Sequence, residues 1–200
     1  MTRGMTSDIT SDITSDIVNK ITPCWLNLSE IECSGIGSDL LFCKLESVSL
    51  FFGEGGKNTR DAALKATLAY TLQISADKII IKKDKNGKPY LEKNPLYFSV
   101  SHTGIYFIVA IYKGAPIGVD IEEIRDIKDI DSIKRVVLSA EEQKSCESLK
   151  DFYRFWTLKE AYLKALGIGI QDNMQSVTQY SSCMAIELPR TNIQRSICTL

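Results

Sequence analysis

Six consecutive residues, Ile117-Gly118-Val119-Asp120-Ile121-Glu122, constrain this chain more than any others. β-Branched residues at every second position mark a strand, in which side chains point alternately to opposite faces. Ile117, Val119 and Ile121 form one apolar face that must be buried. Gly118, Asp120 and Glu122 form the other, which aims two carboxylates the same way beside a residue that leaves room. Carboxylates held together raise each other's cost of ionisation. A hard divalent cation such as Mg²⁺ resolves that conflict, because it takes oxygen ligands. A solvent-facing polar edge is the plainer alternative, and D-x-E spacing alone does not decide between them.

A second segment breaks the ordinary pattern. Asp151 is expected to cap a helix over 152–166, stopped by Gly167. At about 100° per residue, Phe152, Phe155, Trp156, Leu163 and Leu166 make an apolar stripe with Lys159 in its middle. A lysine there must reach solvent, pair with a carboxylate or serve a site. Glu160 and Lys164 stand four apart on the stripe's edge, next to Trp156. They make either an ordinary helical ion pair or part of a site where this helix meets another acidic element. A third feature is His102, the single histidine, in Ser99-Val100-Ser101-His102-Thr103-Gly104 at a strand end. Hydroxyls, an imidazole and a glycine together suit an anion site. Glu142 is explained by a capping box with Ser139.

The remaining segments give strands and helices in mixed order, as in α+β folds. Strands are expected at 23–28, 79–81, 96–101, 106–112 and 117–122, with a last one at 185–188. Helices are expected from about Thr59 to Leu72, from Asp131 to Val137, and after the capping boxes at Ser29 and Ser139. A tandem Thr-Ser-Asp-Ile repeat marks residues 1–20 as a flexible tail. The turn at 113–116 divides the rest into halves, 21–114 and 115–200. With 24 basic against 25 acidic residues, the chain lacks the basic surplus of a sequence-blind nucleic-acid binder. No apolar run is long enough to span a membrane, and the N-terminus lacks the apolar centre of a signal peptide. The cytoplasm is the expected location, where the six cysteines, none in a C-x-x-C pair, would be free thiols.

The pieces occur together and in order. Gly118-Val119-Asp120-Ile121-Glu122 resembles the G-(I/V)-D-x-E signature of the 4'-phosphopantetheinyl transferase superfamily. Trp156-Thr157-Leu158-Lys159-Glu160-Ala161-Tyr162-Leu163-Lys164 resembles its W-(S/T)-x-K-E-A-x-x-K signature. Gly87-Lys88-Pro89 and Phe98-Ser99-Val100-Ser101-His102-Thr103-Gly104 are similar to stretches of the larger, two-lobed bacterial (surfactin-synthetase-activating) branch, with Ser99 in place of the usual asparagine. The resemblance covers about residues 57–170.

The resemblance implies two similar α+β lobes related by pseudo-two-fold symmetry, with the active site in the cleft between them. It implies a monomeric, Mg²⁺-dependent transferase that moves the phosphopantetheine arm of coenzyme A to a serine of an acyl or peptidyl carrier protein. Asp120, Glu122 and Glu160 would hold the metal. Lys164 would contact the pyrophosphate, and Lys159 would steady the carboxylates. Ser101 and His102 would bind phosphate, Lys88 and Pro89 would flank the adenine, and Arg60 would add an anion contact. Lys57, Lys65, Lys82, Lys83 and Lys85 would complete a basic rim facing the carrier. A non-catalytic coenzyme A or carrier-binding module on the same fold is the alternative, and a Mg²⁺-dependent phosphohydrolase is a third reading.

Overall fold

The structure, a computed structural model, describes residues 25–27, 33–35, 40–45, 48–92, 96–169, 174–178, 183–187 and 193–199, with side chains placed over 48–92, 96–169 and 174–178. The expected tail at 1–20 and the capping box at Ser29 lie outside the described residues. The first half contains β1 (Trp25–Asn27), β2 (Cys33–Gly35), β3 (Leu40–Leu45), β4 (Val48–Glu54), α1 (Lys57–Leu72), β5 (Ile81–Lys83), β6 (Pro89–Leu91), β7 (Tyr97–Thr103) and β8 (Tyr106–Tyr112). The second contains β9 (Ile117–Glu123), α2 (Ile130–Val137), α3 (Ala140–Ser145), α4 (Leu149–Leu166), β10 (Cys183–Glu187) and β11 (Ile193–Thr199). The fold is α+β.

Two sheets organise it. One runs β2-β3-β4-β8-β7 and the other β1-β10-β11-β9, with β5 and β6 forming a separate hairpin. β8 is apolar along its whole length because both of its faces are covered. On one face, Leu64, Leu68 and Ala69 of α1 pack with Phe51, Phe98, Phe107, Val109 and Ile111. On the other, Val48, Leu50, Phe52, Ile108 and Ala110 meet Ile117, Val119 and Ile121 of β9. Burying each such side chain contributes about 1.5–3 kcal/mol. The predicted apolar face of β9 is therefore the contact between the two sheets.

Several boundaries differ from the sequence expectation. α4 begins at Leu149, capped by Ser148 in a reciprocal box with Asp151. Asp151, the predicted cap, is instead the third helical residue, three positions inside the observed cap. Over 79–81 only Ile81 opens a strand. Ile79 is buried in the α1 core and Ile80 is exposed after a short 3-10 turn at Ala76–Lys78. Leu166, placed on the apolar stripe, is 41 % exposed, because the helix ends at Gly167 (φ 73°) just past the core. The strand near 185–188 is not the last. β11 follows it and lies directly against β9, pairing Ser196 with Asp120 and Gln194 with Glu122.

Candidate active site

The other face of β9 explains its glycine. A Cβ on Gly118 would stand 1.9 Å from the carbonyl oxygen of Ala161 and 2.4 Å from the amide nitrogen of Ala165. Strand and helix backbones touch there, and the small Ala161 and Ala165, both buried, line the helix side. α4 thus buries two faces, one narrow and made of alanines against β9, the other large and apolar against α2 and residues 174–177. The close crossing brings Glu160 and Lys164 of α4 beside Asp120 and Glu122 of β9.

The carboxylates are held unequally. Asp120, 2 % exposed, accepts a hydrogen bond on Oδ1 from Ser101 Oγ at 2.7 Å. Lys164 Nζ donates to the same oxygen at 2.5 Å and to Ser101 Oγ at 2.9 Å. Glu122 accepts from the Thr103 hydroxyl at 3.3 Å and from the Trp156 side chain. Burial and the neighbouring Asp120 push Glu122 above the ordinary carboxyl range, against the pull of those donors and of Lys164. Glu160 is raised furthest, to about 7, first by burial, then by Asp120, with Lys164 opposing. Among the described residues, Asp120 Oδ2 and Glu160 Oε1 are buried acceptors with no hydrogen-bond partner. Such atoms are costly unless a donor or cation meets them. No three His, Cys, Asp or Glu side chains among the described residues stand close enough together to form a ready-made metal cage.

Cations gather on one side of this cluster. Burial lowers the pKa of His102, and Arg60 of α1 and Lys164 lower it further, with Asp120 opposing. The first turn of α1, the end of β7 and the last turn of α4 therefore converge electrostatically. An imidazole, a guanidinium and an ammonium are groups that can donate to an anion. Lys88 is held differently. Its Nζ donates to the carbonyl of Ala165 at 2.7 Å, while Asn86 Nδ2 donates to that of Gly167 at 2.6 Å. The β5–β6 turn thereby satisfies carbonyls that the end of α4 leaves open. Pro89 opens β6, half-buried, beside it.

Lys159 does not join the acidic cluster. It is fully buried, and its ammonium pairs with Glu142 Oε2 at 2.8 Å and donates to the carbonyls of Met174 and Val177 at 2.9 Å each. Lys159 precedes Glu160 by one residue, so it points about 100° away around the helix axis. Glu142 completes its capping box with Ser139 and also carries this ion pair. Two hydroxyls of the segment expected to suit an anion instead serve β9. Thr103 meets Glu122, and Ser99 Oγ accepts from the Val119 amide at 3.1 Å. Their signal was present as hydroxyls at alternate positions of β7.

Residues 116–198 match the model of the 4'-phosphopantetheinyl transferase superfamily. That stretch runs from β9 to β11 and holds Asp120, Glu122, Glu160 and Lys164. Among curated relatives, the chain is 33 % identical over 111 residues to the 4'-phosphopantetheinyl transferase psf-1 of Bacillus pumilus, covering 52 % of this chain and 47 % of that protein. It is 32 % identical over 117 residues to the 4'-phosphopantetheinyl transferase HetI of a Nostoc species, covering 54 % and 49 %. It is 29 % identical over 143 residues to the L-aminoadipate-semialdehyde dehydrogenase-phosphopantetheinyl transferase of Xenopus laevis, covering 62 % and 47 %. The chain thus spans about half the length of these relatives. No helix among the described residues is long and apolar enough to cross a membrane.

Proposed function

We propose that the chain is a Mg²⁺-dependent transferase that moves the 4'-phosphopantetheine arm of coenzyme A to a serine of an apo acyl or peptidyl carrier protein. The observation that carries this reading is the pair of buried, unpartnered oxygens, Asp120 Oδ2 and Glu160 Oε1, in a carboxylate cluster beside a cationic group. The donor set fits a hard cation, being all carboxylate, partly dry and mutually repulsive. Asp120, Glu122 and Glu160 would hold Mg²⁺. Bound there, the ion neutralises charge on the oxygens of a pyrophosphate.

In the reaction, the serine hydroxyl attacks the phosphorus bearing the pantetheine arm. The new serine O–P bond forms as the bridging P–O bond breaks, and adenosine 3',5'-bisphosphate leaves. Lys164 would offset charge growing on the phosphoryl oxygens, and Arg60 and His102 would grip phosphate. The serine proton needs an acceptor. Glu160 would accept it, directly or through a water. The two halves would form similar lobes of a monomer with the substrate between them, working in the cytoplasm.

Incubation with coenzyme A, Mg²⁺ and a panel of apo-carrier proteins, followed by mass spectrometry of each carrier, tests the proposal. A carrier heavier by one phosphopantetheine is the expected result, and Asp120→Ala should abolish it without unfolding the protein. Coenzyme A binding with no carrier modified would mark a non-catalytic binding module. Phosphate release without a carrier would mark a phosphohydrolase.

A further inference from the structure

β7 and β9 are edge strands of different sheets, and side chains join them. Ser99, Ser101 and Thr103 alternate along β7, so their hydroxyls face the same way. Each reaches β9. Ser99 accepts the Val119 amide, and Ser101 donates to Asp120. Thr103 Oγ1 accepts the Glu123 amide at 3.3 Å and donates to Glu122 Oε2 at 3.3 Å. A hydroxyl has one proton and two lone pairs. The backbone amide fixes which way the Thr103 hydroxyl turns, leaving its proton for Glu122.

We infer that Thr103 is a positioning residue for Glu122, its hydroxyl fixing the carboxylate in the orientation that a divalent cation uses. The inference rests on the metal-dependent reading above. Thr103 shares its face of β7 with Ser101, and Lys164 donates to Ser101 rather than to Thr103. Its role is to act through Glu122, which also accepts from the Trp156 side chain. Residues that orient metal ligands in this manner change metal affinity by about 10–100-fold when removed.

The test uses the full chain. Mg²⁺ is titrated calorimetrically in the presence of coenzyme A, and carrier modification is followed against Mg²⁺ concentration. Thr103→Val should weaken Mg²⁺ binding about tenfold, with kcat at saturating Mg²⁺ within about twofold of the parent. Thr103→Ser, which restores the hydroxyl, should restore the affinity. Trp156→Phe removes the second donor and should weaken Mg²⁺ binding in the same sense, which keeps the inference testable if Thr103→Val fails to fold. Thr103→Val or Trp156→Phe titrating like the parent, or Thr103→Ser as weak as Thr103→Val, overturns it. A parent protein that binds no Mg²⁺ overturns it too. A parent that binds Mg²⁺ with these variant effects but modifies no carrier overturns the transferase reading and leaves Thr103 standing.

Discussion

Replacing Lys159 with methionine removes a cation from a dry site. The parent ammonium has three partners: Glu142 Oε2 and the carbonyls of Met174 and Val177. Methionine matches its length and offers no proton. Glu142, 6 % exposed, would keep its capping bond to the Ser139 amide but lose its counter-ion, and both carbonyls would lose this donor. Removing one member of a buried ion pair costs about 3–5 kcal/mol, a large share of the roughly 5–15 kcal/mol that holds a domain together. At about 2–4 °C per kcal/mol for a chain of this size, melting should fall by roughly 10 °C. Urea denaturation with an unchanged m-value would measure the loss. The double variant Lys159→Met/Glu142→Gln should recover a good part of it, because no uncompensated charge then remains buried. A Lys159→Met protein within about 1 kcal/mol of the parent would refute the reasoning. So would a double variant whose loss is the sum of the two single losses.

Glu160 makes the metal-free protein less stable as pH rises from the ordinary carboxyl range to about 7. Between those limits the folded state binds more protons than the unfolded state, so stability falls with pH, by about 3 kcal/mol in all. Glu160→Gln should flatten that part of a stability–pH curve measured in chelator, and an unchanged slope would count against it. Gly118→Ala drives a methyl into α4 backbone atoms that cannot rotate away. It should cost about 3 kcal/mol or more in urea and impair carrier modification at temperatures where the variant remains folded. His102, the single histidine, gives one unobscured imidazole proton signal by NMR. It should titrate below the ordinary histidine value, and Arg60→Gln should move it upward; a midpoint unaffected by that change would place Arg60 elsewhere.

Period-two alternation was enough to find both faces of β9, and four-residue spacing was enough to put Glu160 and Lys164 together. Those are local rules, and the site obeys them. Lys159 shows where they stop. A helical wheel gives its direction but not which element lies there, and the partners came from α3 and residues 174–177. The small face of α4 was hidden for a similar reason, since Ala161 and Ala165 look unremarkable until Gly118 is seen pressed against them. β11 was missed because Gln194, Arg195 and Ser196 interrupt any apolar signal; its pairing with β9 and β10 defines it. Ser148 and Asp151 are reciprocal partners at the start of α4, and either residue type suits a cap, so local sequence does not separate them.

β1 pairs in parallel with β10, Trp25 opposite Ala185 and Asn27 opposite Glu187. The turn at 113–116 is therefore a poor place to divide the protein, although the sequence halves meet there. A fragment starting at Ala115 would leave the outer rim of β10 bare, with unpaired amides and carbonyls that recruit stray strands. Expressed separately, the two halves should be sticky alone and better behaved when mixed, because one carries the closing strand of the other.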